Sequence, residues 1–444
     1  MKRFLCFLSA VLLAISVLSG CGNTAGNGTD QTTGAGASDT VAATTAAAAP
    51  AQKVVFWYNH KGDEAKVYEE AIKQYNDSQS KYVVEGLSLT DDQKLIVAMA
   101  SNESPDAITG SNSSIITYHS NGLLQKLNDY VDRDKLDLGI YSEQALKANS
   151  VGDELYALPE TAYTIQMFYN KDILKKIGYT DPPKTMEEMY EMADKATTLD
   201  KDGNIDVLGY PLFPFASARQ ELIYGFGGRW WSEDGKTLTP DSQGALDSLS
   251  MNVKYRQKYN IKKVQAFIAT ANTNRYTEKD MFFAGKQLFR LDGSWIPTMM
   301  KNFNSTVDYG ITLVPGTKAN PGLAGTSRFE TDSLSIPTVA SNKDGAWDFI
   351  KYFSNSDATK TILIGTGNLP ALKALYEDKE ILAIPGYSDF INALKLEKGI
   401  QYPQIADFTK YVSLIDEQLG YVYDGSKTPE QALKDLKGQS ASLK

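Results

Sequence analysis

KVVFWYNHKGDEAKVYEEAIKQYNDSQSKYVVEGLSLTDDQKLIVAMASNESPDAI, residues 53–108, alternates short apolar runs with amphipathic ones. Lys53 to Trp57 reads as a buried strand, and Asp63 to Tyr75 as a helix with Val67, Ala71 and Ile72 on one face. Tyr82 to Val84 is a second strand, Gln93 to Ala100 a second helix, and Pro105 to Ile108 a third short strand before a loop of small polar residues. Strand, helix, strand, helix in this order implies an α/β domain whose mostly parallel sheet is covered on both faces. Farther along, Thr185-Met-Glu-Glu188 and Thr428-Pro-Glu-Gln431 are capping boxes that mark helix starts, the second with proline at the first helical position. Ala346, Phe349, Ile350 and Phe353 recur at the spacing of one helix face, and Leu334 to Ile336 reads as another strand.

Upstream of this stretch the composition changes. Lys2 and Arg3 precede an apolar run, Phe4 to Leu18, which is shorter than the roughly 17–25 residues of a bilayer-spanning helix and fits a secretory signal. Leu18-Ser-Gly-Cys21 resembles the lipobox of bacterial lipoproteins, which implies cleavage before Cys21, a lipid on that cysteine and a signal peptide over residues 1–20. An ordinary cleaved signal or an uncleaved anchor is the other reading. After Cys21, residues 22–52 are almost wholly Gly, Ala, Thr, Asn, Ser and Asp, with Val41 the only larger aliphatic, so 21–52 has the composition of a disordered tether. Lipid, tether and globule together lead us to expect a protein anchored on the extracellular face of the cell membrane, in a Gram-positive-like envelope.

The whole chain has 444 residues, a formal charge of −9, two cysteines and two histidines. Both cysteines, Cys6 and Cys21, lie at the start, so the folded part has no thiol for a disulfide, a thiolate metal site or a nucleophile. His60 and His119 have no metal-ligand spacing. The acidic balance argues against nucleic acid, whose phosphates need a basic footprint. We find no G-x-S-x-G elbow, phosphate loop or H-E-x-x-H, and we expect no cofactor and no enzyme. Paired carboxylates for glycoside hydrolysis stay open, because such a pair is defined in space. Asp200, Asp202 and Asp206 resemble part of a calcium loop. However, Gly209 stands where a bidentate Glu is expected, and a plain Asp-Gly turn is the alternative.

Several segments, in order, resemble the extracellular solute-binding proteins of ABC importers that bind carbohydrates, the maltose-binding-protein-like family. They are Val55-Phe-Trp-Tyr-Asn59, Ala100 to Asp106 ending in Pro-Asp, Gly122 to Asp129, Tyr156-Ala-Leu-Pro159, Phe168-Tyr-Asn-Lys-Asp172, Pro183 to Glu188, Phe283-Ala-Gly-Lys286, Gly293-Ser-Trp295, Ala346 to Ile350 and Gly367-Asn-Leu-Pro370. The resemblance implies a two-lobed, hinge-linked fold of type II, with ligand in the cleft and lobes that close on it. It places one lobe at 53–162 plus 311–354 and the other at 163–310 plus 355–444. It also implies a carbohydrate, in particular an oligosaccharide, as ligand, an ABC permease as partner and a monomer. A surface carbohydrate-active enzyme or a binding protein for a non-sugar solute is the alternative.

A sugar presents an apolar C–H face and a rim of hydroxyls, so its site needs aromatic platforms and side chains that both donate and accept. The chain carries 25 tyrosines and 5 tryptophans. Trp295 is the candidate stacking platform. Trp230 and Trp231 are either a cleft wall or a loop cap, with one rather than both expected to touch ligand; Trp57 and Trp347 read as core. Polar candidates lie where loops leave strand ends: Asn59, His60, Asp91 and Asn112. Tyr163 sits at the hinge crossing implied by the resemblance, and Arg219 and Gln220 occupy the turn that faces the cleft in its pattern. Arg328, Glu330 and Asp332 form a charged segment before the strand at Leu334, where the family more often has small residues. This cluster either reaches the ligand or pairs internally.

Overall fold

A computed structural model describes residues 50–101, 103–212, 222–403, 405 and 407–443. The signal, Cys21, nearly all of the tether, Arg219 and Gln220 lie outside the described residues. The stretch read first folds as β1 (Gln52–Tyr58), α1 (Asp63–Ser78), β2 (Tyr82–Ser88), α2 (Asp92–Met99) and β3 (Ala107–Ser111), followed by α3 (Asn112–Ser120). β1 pairs in parallel with both β2 and β3. Its Val54, Phe56 and Tyr58 are buried on one face, with the Phe56 ring edge-on to Phe349 at 4.8 Å. Phe349 belongs to the helix Lys343–Tyr352, which buries the anticipated face of Ala346, Phe349 and Ile350, with Phe353 just beyond its end.

Two long strands complete the first sheet. β4 (Ala157–Thr164) continues past Ile165 into β5 (Gln166–Asn170), and β8 (Ser327–Ser335) lies antiparallel between β3 and β4. The order is β2-β1-β3-β8-β4-β9, where β9 is Leu369–Pro370, and β10 (Gly399–Ile400) adds in parallel at the start of β8. β5 is the middle strand of a second sheet, between β6 (Phe289–Asp292) and β7 (Tyr309–Thr312), and both ladders are antiparallel. The second sheet thus departs from the mostly parallel arrangement expected of each lobe. Long excursions separate its strands, so chain direction is not set by helical crossovers between neighbours.

Two of the expected lobe limits shift. Residues 309–314 belong with the second sheet: β7 pairs with β5, and Val314 packs in the core that holds Met167, Leu288 and Phe289. The return to the first sheet therefore occurs at Ser327, not near residue 311. The helix Ser356–Thr366, assigned above to the second lobe, packs along α1, with Thr361 bonded to Gln74 and Gly365 against Val67. It stays on the first sheet because its apolar face, Ala358, Ile362 and Leu363, joins that core. The C-terminal helices Phe408–Tyr423 and Pro429–Ser440 pack with Ile223, Trp230, Ala245 and Leu249 in a cluster of their own.

Candidate functional site

The site grows from the register of the crossing strands. Arg328, Glu330 and Asp332 alternate along β8 and so project from one face, and Glu330 lies directly across from Tyr163 on β4. The Tyr163 hydroxyl donates to the Glu330 carboxylate, as does that of Tyr402. Arg328 pairs with Glu330 at 2.7 Å and donates to the Tyr402 oxygen at 3.2 Å. The guanidinium also stands over the Tyr163 ring at 5.7 Å, so Arg328 and Glu330 pair with each other. Among the described residues Asp332 has no cation in contact. It accepts from Asn368 Nδ2 at 3.0 Å and Thr161 Oγ1 at 3.3 Å, and burial, reinforced by the Glu330 charge, pushes its carboxyl up to about 6.

Trp295 enters this row from the second sheet. Its indole meets the Tyr163 ring edge-on at 6.0 Å, and its Nε1 donates to the Tyr276 hydroxyl at 3.3 Å. Tyr276 donates to Asp292 at 2.9 Å, and Asp292 in turn takes Arg275 at 2.8 Å and Arg290 at 2.9 Å. Arg290 also grips Asp280 through two contacts, 2.8 and 2.9 Å. Burial raises the Asp292 carboxyl, but the two guanidiniums outweigh it and hold the group below its ordinary value. The Gly293-Ser-Trp motif has a steric reason: a Cβ on residue 293 would sit 2.1 Å from the Trp295 ring, so the indole folds back over a bare backbone. Ser294 ties the loop across to the Gly367 carbonyl at 2.7 Å, next to Asn368.

The first-sheet wall is the loop between β1 and α1. The His60 imidazole stacks on Tyr68 at 4.5 Å and 23°, its Nδ1 buried without a partner among the described residues. Burial lowers its pKa against the opposing pull of Glu64, which favours the neutral ring. Behind it the Tyr68 hydroxyl donates to Glu160 at 2.6 Å. Glu160 is fully buried, and burial drives its carboxyl up to about 8.

The other candidates fall elsewhere. Asn59 is exposed on the loop beside His60, with its backbone N–H bonded to Thr109. Asp91 caps α2, accepting from Gln93 and Lys94, and lines a separate depression with Trp57, Leu87 and Val97. Asn112 is 1% exposed, its side-chain oxygen accepting from the Thr331 N–H behind β8; it buttresses the strand. Trp230 is likewise 1% exposed, its carbonyl accepting from Tyr411, so it fills the helical core and is no cleft wall. Trp231 donates to the Gln401 carbonyl at 2.8 Å and packs on Tyr402. It also lines a cavity of about 400 Å³ together with Arg229, Gln144 and Lys398.

The Asp200 segment is a hairpin turn. Asp200 accepts from Asp202 N, Asn204 N and Asn204 Nδ2, and Lys286 pairs with Asp206 at 2.8 Å. Of the three candidate carboxylates, Asp200 and Asp206 are thus engaged by the protein. Among the described residues there is no group of three or more His, Cys, Asp or Glu placed to hold a metal.

The arrangement offers an indole held at a fixed angle, a tyrosine face beside it, and carboxylate, guanidinium, amide and imidazole groups around them. It can stack a ring and bond its substituents. Residues 70–388 match the model of a bacterial extracellular solute-binding protein family. The chain belongs to that family. It is 25% identical to a maltotriose-binding protein of Pyrococcus abyssi over 359 residues, which covers 77% of this chain and 72% of the relative. It is also 26% identical to a galactooligosaccharide-binding protein of Bacillus subtilis over 337 residues, 74% of each. Among solved structures, CpMnBP1 with mannotriose bound superposes with a TM-score of 0.76 at 22% identity, covering 88% of this chain and 100% of that one. Maltose-bound MalE3 of T. maritima follows at 0.71 and 21%, covering 88% and 99%. These structures establish the two-lobed α/β fold for this solute-binding protein.

Sequence reasoning missed Tyr276, Asp292, Arg290, Tyr402, Asn368 and Glu160. Asp292 had a signal, since it precedes the glycine of the tryptophan motif. Tyr402 had none, because its partner Glu330 lies 72 residues away.

Proposed function

We propose that this solute-binding protein captures an oligosaccharide between its two sheets and delivers it to an ABC permease. The observation that carries the reading is the Trp295 indole, folded over Gly293 and braced by Tyr276, beside the Arg328, Glu330 and Asp332 row. Stacking on an indole suits the apolar face of a pyranose, and the row suits its hydroxyls. The sugars named for the relatives point the same way. The protein binds and does not cleave: incubation with glycans is expected to release no product. Lobe movement about the crossing strands β4 and β8 accompanies capture.

The leader fits a lipoprotein signal, with Cys21 as the lipidated residue and the following segment as the tether that keeps the protein at the outer face of the membrane. On this reading Cys21→Ala moves the protein from the membrane fraction to the medium. Isothermal titration with maltotriose, mannotriose and galactooligosaccharides tests the ligand class. Heat and saturation with at least one are expected; silence across all three, with amino acids or peptides binding instead, overturns it.

A further inference from the structure

β4 carries a bulge at the site. Thr161 pairs with Asp332 and Pro159 with Ser333, so Glu160 is the extra residue with no partner opposite. Bulges re-aim side chains next to functional sites, and this one turns Glu160 inward toward α1. There one oxygen accepts from Tyr68 at 2.6 Å, while Oε1 is buried with no partner among the described residues. The Tyr68 ring is sandwiched: Tyr58 stacks on it at 5.1 Å and 8°, and His60 at 4.5 Å and 23°.

Among the described residues no cation pairs with Glu160, and Arg328, the cation of β8, is turned to Glu330 and Tyr402. α1 and the loop before it supply Tyr68, Glu64 and His60, and β8 supplies Asp332 and Glu330. Of the cations on other elements that pack on β4, Lys360 is held by Asp378 and Lys147 lines the cavity near Trp231. Asp389 and Tyr387, on the helix Tyr387–Leu394, add no positive charge. A lone carboxylate in such a place is strongly disfavoured, and the neutral acid is the form that fits.

We propose that Glu160, as a neutral acid, is a positioning residue for ligand capture: it fixes Tyr68, and through the stacked ring His60, at the first-sheet wall of the site. The proposal rests on the sugar-binding reading for its consequence, but the coupling of Glu160 to His60 stands apart from any ligand. Ionising Glu160 places a charge beside Asp332, and the wall loosens. The folded-state pKa, about 8, lies above the ordinary 4.5. The stability this acid contributes is therefore present below about 4.5 and is lost as pH rises to about 8.

His60 and His119 are the only histidines in the chain, so the imidazole region of a proton NMR spectrum contains two side chains. His119 packs on Tyr156 at 4.4 Å, away from this cluster. In ligand-free full-length protein the His60 signal is expected to step with a midpoint near pH 8. Glu160→Gln abolishes the step. Should that variant fail to fold, Tyr68→Phe removes the linking hydroxyl and shrinks the step instead. A flat His60 signal in the wild type between pH 7 and 9, or an equal step in Glu160→Gln, overturns the proposal.

With maltotriose, mannotriose or galactooligosaccharide as probe, wild-type affinity should fall about fivefold or more from pH 7 to 9. The Glu160→Gln profile over the same interval should change less than about twofold, and Glu160→Ala should bind more weakly than Glu160→Gln at pH 7. Parallel profiles refute the positioning role while leaving the sugar reading intact. If the wild type binds none of the probes, the sugar reading fails and the His60 step alone decides the role of Glu160.

Discussion

Trp295 and Trp230 have the same side chain and opposite fates, and what separates them is the backbone beneath. Trp295 rests on a glycine two residues earlier and keeps part of its ring accessible. Trp230 follows an arginine and is enclosed by Tyr411 and its neighbours. Trp295→Ala is expected to weaken binding of the preferred trisaccharide at least about tenfold, or about 1.4 kcal/mol, with little change in melting temperature. Unchanged affinity in calorimetry removes Trp295 from the platform role. Arg328 behaves differently, because it is the single cation paired with the 4% exposed Glu330 among the described residues. Arg328→Met leaves that carboxylate buried with only tyrosine hydroxyls as donors, and should cost about 3 kcal/mol in urea unfolding at pH 7. The motif Gly-Ser-Trp was legible from sequence because its parts are adjacent. The partners of Tyr68 and Tyr402 were not, because they meet across 92 and 72 residues.

At the level of elements, local chemistry decided what could be read. Thr185 accepts from Glu188 N and Thr428 from Gln431 N, the bonds that their capping patterns announce. β1 was legible as well, because its large apolar residues Val54, Phe56 and Tyr58 are buried, whereas β2 announced itself only through the short run Tyr82 to Val84 and is mostly exposed. β8 was read as a charged segment leading into a strand, yet Ser327 to Asp332 is itself strand. Its polar residues face the site, so binding displaced the hydrophobic alternation on which a strand is recognised. The bulge at Glu160 left no mark in sequence for a similar reason, since nothing local signals which residue a distant partner will skip. The loop between β6 and the helix Ile296–Asn302 offers a test of element geometry that changes no ligand-facing residue in the sequence. Gly293→Ala puts a methyl 2.1 Å from the Trp295 ring, and the indole must swing off Tyr163. The expected outcome is a loss of sugar affinity close to that of Trp295→Ala, together with a changed indole fluorescence maximum. Wild-type affinity in a folded Gly293→Ala protein sinks the claim that this loop sets the platform.

Across the whole molecule the site belongs to neither sheet alone. Tyr163 and Glu330 stand on the strands that leave the first sheet, Trp295 and Tyr276 follow the second, and Tyr402 comes from the segment after β10. Only Ile165 separates β4 from β5, so the two sheets share one continuous backbone at the point where the ligand is proposed to sit. The two-lobed plan was legible from collinear motifs, but the return to the first sheet at Ser327 and the place of the helix Ser356–Thr366 on that sheet were not, because chain crossings leave no compositional trace. A ligand that touches both sheets must stabilise both. At a free concentration one hundred times its dissociation constant it adds about 2.7 kcal/mol to whatever unit unfolds with the site. In scanning calorimetry the saturated protein should therefore melt higher as one cooperative transition, and any separate low-temperature transition of the ligand-free protein should move up to join it. A scan in which one transition shifts and another stays fixed would place the ligand on a single sheet and contradict capture between the two.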